Sequence, residues 1–343
     1  MAALVRADEL ASFAAIPAPT GSERERRTWI EHRLREAPGE RRVDDVGNLI
    51  WRLRDGPTTL LLMAHLDTVF AFDVHVAPRR VGDELIGPSV GDNAAAVMAT
   101  VWALEAMASA PSGLTVAFTV GEEGLGNLRG ARHACAQLAP QMAIALEGHG
   151  LDKIVTEHVG SVRAQLVIDG PGGHSWWDRE TPSAVHELVD ICGRVAALRG
   201  NVGVISGGGQ INAIAAHAEA LVERRALAEP EIEAFEEFVA ALTVPPPLSL
   251  AREIVGRRPA GQISRSHPLV DGVLAVRREL GLDPRFGDGS TDANAAAALG
   301  IPAVALGCTR GSGMHTPGER IGLSALELGC RQIAAVVARV LSR

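Results

Sequence analysis

His65 and Asp67, in Met63-Ala64-His65-Leu66-Asp67-Thr68-Val69, directly follow an apolar run that reads as a buried strand. A histidine at the carboxyl end of such a strand faces the crevice where open α/β sheets bind ligands. A carboxylate two residues on can accept the second imidazole N–H and fix the tautomer for metal binding. Taken alone, a hydrogen-bonded structural histidine explains His65 equally simply. Asp92, in Gly87-Pro88-Ser89-Val90-Gly91-Asp92-Asn93-Ala94, opens an Ala-rich stretch. It reads either as a helix N-cap or as a carboxylate whose two oxygens bridge two cations.

Glu122 and Glu123, in Gly121-Glu122-Glu123-Gly124, are harder to explain structurally. Two adjacent carboxylates repel unless a cation or a proton offsets them. One can ligate metal while its neighbour serves as general base on water. Glu147 closes another apolar run, Met142–Leu146, and alone would be a surface glutamate. His315 sits in Gly311-Ser312-Gly313-Met314-His315-Thr316-Pro317, a loop that returns to the same end of the layer. Coincidence accounts for one or two such placements, but poorly for His65, Asp92, Glu123, Glu147 and His315 together. Imidazole with carboxylate and no thiolate suits catalytic Zn2+, with Co2+ or Mn2+ as alternatives.

The elements that must position these residues alternate in type. Thr59–Ala64, Leu114–Val120, Met142–Leu146 and Ala303–Leu306 read as buried strands. Asn93–Met107, Asn127–Leu138, Pro268–Leu280 and Ser324–Leu341 read as helices. The alternation predicts an α/β domain with a central, mainly parallel sheet. Near residue 155 the pattern changes: Ser161–Ile168, Ala216–Arg225 and Ser249–Val255 read as strands, and Thr181–Leu198 and Pro230–Leu242 as helices. That is an α+β unit with an antiparallel sheet. The expected organisation is one domain over 1–154 and 263–343, with a second inserted over 155–262.

The 343 residues are 47% hydrophobic and 22% charged, enough to bury a substantial core. The net charge of −8, without a basic block, disfavours a nucleic-acid partner. The longest mainly apolar run, Ala94–Leu104, ends at Glu105, too short for a membrane span. Charges at Arg6, Asp8 and Glu9 speak against a signal peptide. Cys135, Cys192, Cys308 and Cys330 are widely separated, which fits a reducing cytoplasm.

As an ordered set, these motifs resemble the dinuclear zinc family of glutamate carboxypeptidase, acetylornithine deacetylase, succinyl-diaminopimelate desuccinylase, aminoacylase and peptidase T. The resemblance spans nearly the whole chain, from Ile16-Pro17-Ala18-Pro19-Thr20-Gly21 to His315, and includes Gly287-Asp288-Gly289-Ser290-Thr291-Asp292-Ala293-Asn294. It implies two metal ions with Asp92 bridging, His65 and Glu147 completing one site, and Glu123 and His315 the other. Glu122 would be the general base, and Asp67 would orient His65. It also implies that 1–154 and 263–343 form the catalytic domain and 155–262 a lid that carries a homodimer contact, with a small peptide or N-acyl amino acid as substrate. His174, in Gly170-Pro171-Gly172-Gly173-His174-Ser175, would stabilise the oxyanion, often in the partner subunit's site. Asn212 and Arg225 would contact substrate, Arg225 holding a carboxylate. Asn93-Ala94-Ala95 after Asp92, and Ala215 where the family has proline, depart from the family's common runs. Trp176 and Trp177 are unusual there, as pocket lining or as lid packing.

Two other readings compete. Gly87-Pro88-Ser89-Val90-Gly91 fits the G-x-S-x-G pattern of serine hydrolases with Ser89 as nucleophile. A non-catalytic small-molecule binder on the same fold is the other.

Overall fold

A computed structural model describes residues 5–342 except 75, 76, 108 and 110. Residues 1–4 and 343, at the outer ends of the expected catalytic domain, lie outside the described residues. The chain forms two compact units, Met1–His158 with Gln262–Arg343, and Val159–Gly261.

In the first unit the fully buried strands Leu60–His65, Leu114–Thr119 and Ala303–Gly307 lie with Met142–Glu147 at the middle of a nine-stranded sheet. Leu60–His65 pairs in parallel with both Leu114–Thr119 and Met142–Glu147, and Ala303–Gly307 pairs in parallel with Met142–Glu147. Continuous apolar runs mark these strands because both sheet faces are covered. Leu60, Leu62, Ala64, Ile144 and Leu146 pack on one side with Ala96–Glu105 and Leu323–Leu341. Leu61, Met63, Ala143 and Ala145 face the other side, towards Arg129–Leu138 and Ala293–Ala297. That second face is rich in alanine, so its helices come close. A Cβ on Gly130 would lie 2.5 Å from the Val120 nitrogen. The charged strand Glu40–Val43 closes one sheet edge, where its side chains discourage further pairing.

In the second unit Asn201–Gly207, His217–Ala226, Gly160–Asp169 and Ser249–Arg258 form an antiparallel sheet in that order. Val162, Ala164, Leu166 and Ile168 alternate inward, against Leu188 and Ile191 of helix Ala184–Ala197 and Phe235 of helix Glu229–Ala240. The expected α/β class, with separate antiparallel sheets, holds. Three expected helices start later: at Ala96 and not Asn93, where Asp92 and Asn93 have non-helical backbone; at Arg129 and not Asn127, where Asn127 and Leu128 are left-handed; and at Ala184 and not Thr181, where Ser183 is extended. No helix among the described residues is long and apolar enough to cross a membrane.

Candidate metal centre

Parallel pairing puts the carboxyl ends of the central strands on one edge. His65 ends its strand opposite Thr119, Glu122 and Glu123 follow that neighbour, and Glu147 ends the next strand opposite Gly307. His315 arrives by another route. Gly311–Ser312 and Arg320–Gly322 form a hairpin that pairs with Glu84–Ile86, the strand leading towards Asp92. The hairpin therefore carries His315 to Asp92 across more than two hundred residues of sequence, and His315 takes a left-handed φ of 64° there.

Asp92 is the junction. Its Oδ1 lies 3.0 Å from His65 Nε2, and its Oδ2 lies 2.9 Å from His315 Nε2. Glu147 Oε2 is 3.8 Å from His65 Nε2, and Glu123 Oε1 is 3.3 Å from His315 Nε2. His65, Asp92 and Glu147 form one group whose donor atoms could hold an ion, and Asp92, Glu123 and His315 form a second. Glu122 joins a third such group with His65 and Glu123. The Asp67 carboxylate accepts from the Glu122 N–H at 3.0 Å, the Glu123 N–H at 2.9 Å and the Thr20 hydroxyl at 2.9 Å. The nearest acceptor to His65 Nδ1 is the Asp67 main-chain oxygen at 3.1 Å, the carboxylate lying at 3.5 Å. Asp67 thus fixes both the imidazole and the acidic pair.

The electrostatics fit a cation. Burial works against the His65 imidazolium, yet hydrogen bonds to Asp67 and Asp92 hold it well above the usual histidine range. Hydrogen bonds to Asp92 and Glu123 raise His315 to about 10. Burial pushes Glu147 well up, opposed by His65 and reinforced by Asp92 and Glu122. Burial also opposes ionisation of Asp92, but the two imidazoles hold its carboxyl far below the usual range. Protons on imidazoles stand where a divalent ion would neutralise the same carboxylates, so the donor set suits such an ion.

Several supporting residues carry no sequence signal of their own. Arg26 is fully buried. It donates to the main-chain oxygens of Ile16 and Leu66 at 2.9 and 3.0 Å, and to Ser89 Oγ at 2.5 Å. Burial lowers its guanidinium to about 10, and Asp67, Asp92 and Glu319 oppose that fall, so it stays charged at neutral pH. In the sequence it is one arginine among several on a charged helix, with nothing to show which one turns inward. The Asn93 amide donates to the Leu146 oxygen at 2.9 Å, tying the Asp92 segment to the Glu147 strand. Ser89 is fully buried with its hydroxyl engaged by Arg26, which is no place for a nucleophile.

The remaining candidates belong to the second unit. His174 pairs with Ala213 in a short ladder, and the Asn212 main-chain oxygen accepts from the Ser175 N–H at 3.0 Å. The Trp176 N–H donates to His174 Nδ1 at 3.2 Å, which leaves the ring proton on Nε2. Trp177 packs on the same ring, with centroids 4.1 Å apart. Both tryptophans are exposed. Arg225 is half exposed and bonds Glu223 at 3.0 Å.

A mainly parallel α/β sheet with imidazoles and carboxylates crowded at its carboxyl edge defines a metallopeptidase-like hydrolase. Residues 61–339 match peptidase family M20/M25/M40, and the chain belongs to that family. It is 29% identical over 322 residues to a Pyrococcus abyssi protein described as a LysW-lysine/LysW-ornithine hydrolase, covering 92% of this chain and 88% of that one. Its fold is shared with aminopeptidase PepT of Bacillus cereus (TM-score 0.77, 20% identity, 98% of both chains). It is shared equally with a Staphylococcus aureus tripeptidase (TM-score 0.80, 18% identity, 98% of both chains).

Proposed function

We propose that this chain hydrolyses a terminal amide bond of a short peptide or N-acyl amino acid with two divalent metal ions, Zn2+ before Co2+ or Mn2+. Asp92 would serve both ions; His65 and Glu147 would hold one, and Glu123 and His315 the other. The observation that carries this reading is Asp92, with one carboxylate oxygen against each imidazole. Ions held there would lower the pKa of water towards about 7 and polarise a carbonyl.

Glu122 takes the proton of the attacking water and passes it to the amine as the C–N bond breaks. Its main-chain N–H, bonded to Asp67, fixes where that carboxylate begins. His174 donates its Nε2–H to the developing oxyanion, a role its tautomer supports. Asn212 and Arg225 bind the substrate, Arg225 exchanging Glu223 for a substrate carboxylate. The second unit carries a homodimer contact, and a reducing cytoplasm suits the four free cysteines. The names of the similar proteins, a LysW-lysine hydrolase, an aminopeptidase and a tripeptidase, support an amide at the end of an amino-acid or peptide substrate.

The test is a substrate screen on chelator-stripped protein reloaded with Zn2+, Co2+ or Mn2+. Short peptides are set against N-acetyl, N-succinyl and N-carbamoyl amino acids, with Ser89→Ala alongside. Turnover of one class, lost on stripping, restored by metal and kept in Ser89→Ala, is expected. Turnover that survives complete stripping refutes the reading.

A further inference from the structure

The donor groups do not include Glu319, yet it touches the segments that carry three of them. It is completely buried. Its Oε1 accepts from the Asp92 main-chain N–H at 2.9 Å and from His149 Nε2 at 2.5 Å. A carboxylate only accepts, so the His149 proton lies on Nε2. The Glu319 main-chain oxygen accepts from the Gly87 N–H at 2.9 Å. One residue therefore grips both ends of Gly87–Asp92. It stands four positions after His315 in the same hairpin, and His149 stands two positions after Glu147.

The packing leaves no slack around this contact. A Cβ on Gly91 would fall 2.3 Å from His149 Nε2 and 2.7 Å from Glu319 Oε1. A Cβ on Gly311 would fall 2.7 Å from His149 Cε1, and one on Gly148 would fall 1.8 Å from the Gly91 oxygen. Glycine at these positions lets the segments bearing Asp92, Glu147 and His315 close on one carboxylate.

We propose that Glu319 is a positioning residue for the cation centre: through Oε1 it fixes the Asp92 backbone and, with His149, locks three ligand-bearing segments into one register. The proposal rests on the two-metal reading above. A buried acceptor that serves two donors at one point ties their segments together, and a shift of about an ångström in a bridging ligand disturbs both ions at once.

The test is a Co2+ titration of metal-stripped protein, read by the visible absorption of the bound ion, on wild type, Glu319→Ala, Glu319→Gln and Glu319→Asp. Thermal unfolding is measured on each metal-free protein. Glu319→Ala is expected to weaken Co2+ binding at least tenfold and to change the band shape, whereas Glu319→Gln, which keeps an acceptor at the same reach, restores most of both. Glu319→Asp, too short to reach the Asp92 N–H, is expected to behave like Glu319→Ala and serves in its place if that variant does not fold. Wild-type affinity and band shape in Glu319→Ala or Glu319→Asp, whatever the unfolding temperature, overturn the proposal and leave the metal reading standing. A wild type that takes up no Co2+ overturns both.

Discussion

The donor cluster and the His174 segment are held in opposite ways. His65 and Asp67 are buried and hydrogen-bonded at the carboxyl end of a parallel strand covered on both faces, and Asp92 is buried between two imidazoles. His174 stands on a two-residue ladder, its loop held by Asp178 and the Asn212 main chain, beside Trp176 and Trp177 that are 68% and 77% exposed. Groups that must hold reacting atoms within a fraction of an ångström sit on rigid elements, and groups that meet varied substrates sit on adaptable loops. On the proposed reading, the first region would hold the metal ions and the general base, and the second would meet the substrate and its developing oxyanion.

Substitutions in the two regions should therefore fail differently. Glu122→Gln should lower kcat by roughly 10²–10⁴ while KM and metal content stay near wild type, measured by steady-state kinetics and atomic emission. An active Glu122→Gln protein breaks the base assignment. His174→Ala should cost on the order of 10²–10³ in kcat with an unchanged unfolding temperature, since its contacts are local and exposed. A large fall in that temperature would place His174 in the framework instead.

Loading the metal should release protons. His315, raised to about 10, is protonated in the metal-free protein at neutral pH and must lose that proton to ligate. Adding Zn2+ to unbuffered, metal-free protein at pH 7 should acidify the solution, and apparent affinity should rise with pH. Uptake with no proton release would remove the imidazoles from the ligand set.

The smallest expected effect belongs to the framework itself. His158 is buried, and burial holds its imidazole below the ordinary 6.5, opposed only by its bond to the Ala303 oxygen. The unfolded chain then binds the proton more readily, so the His158 contribution to stability is whole well above 6.5 and is lost as pH drops through 6.5 towards the folded value. The difference in unfolding temperature between wild type and His158→Gln should shrink as pH falls from 7.5 to 5. His65 and His315, both raised in the folded chain, give the opposite slope through the same range, and do so equally in both proteins.

The central strands and the candidate ligands His65 and Glu147 were legible because each lies in an uninterrupted pattern: an apolar run, then a polar residue where the run stops. Leu60–His65 and Met142–Glu147 show this directly. The edge strands Glu40–Val43 and Asn201–Gly207 were missed, since an exposed edge imposes no apolar alternation. Arg26 and Glu319 were missed for a related reason. A buried charge is written in the sequence like any surface charge, and only the carbonyls, amides and imidazole that close around it reveal its place. The Asn93 amide, bonded to a distant strand's main chain, belongs with them.

The most direct measurement is anomalous diffraction at the zinc edge from crystals grown with excess Zn2+. Two peaks are predicted, one on each side of the Asp92 carboxylate, the first beside His65 and Glu147 and the second beside Glu123 and His315. A single peak, or zinc bound elsewhere with His65 and His315 still bonded to Asp92, would contradict the account.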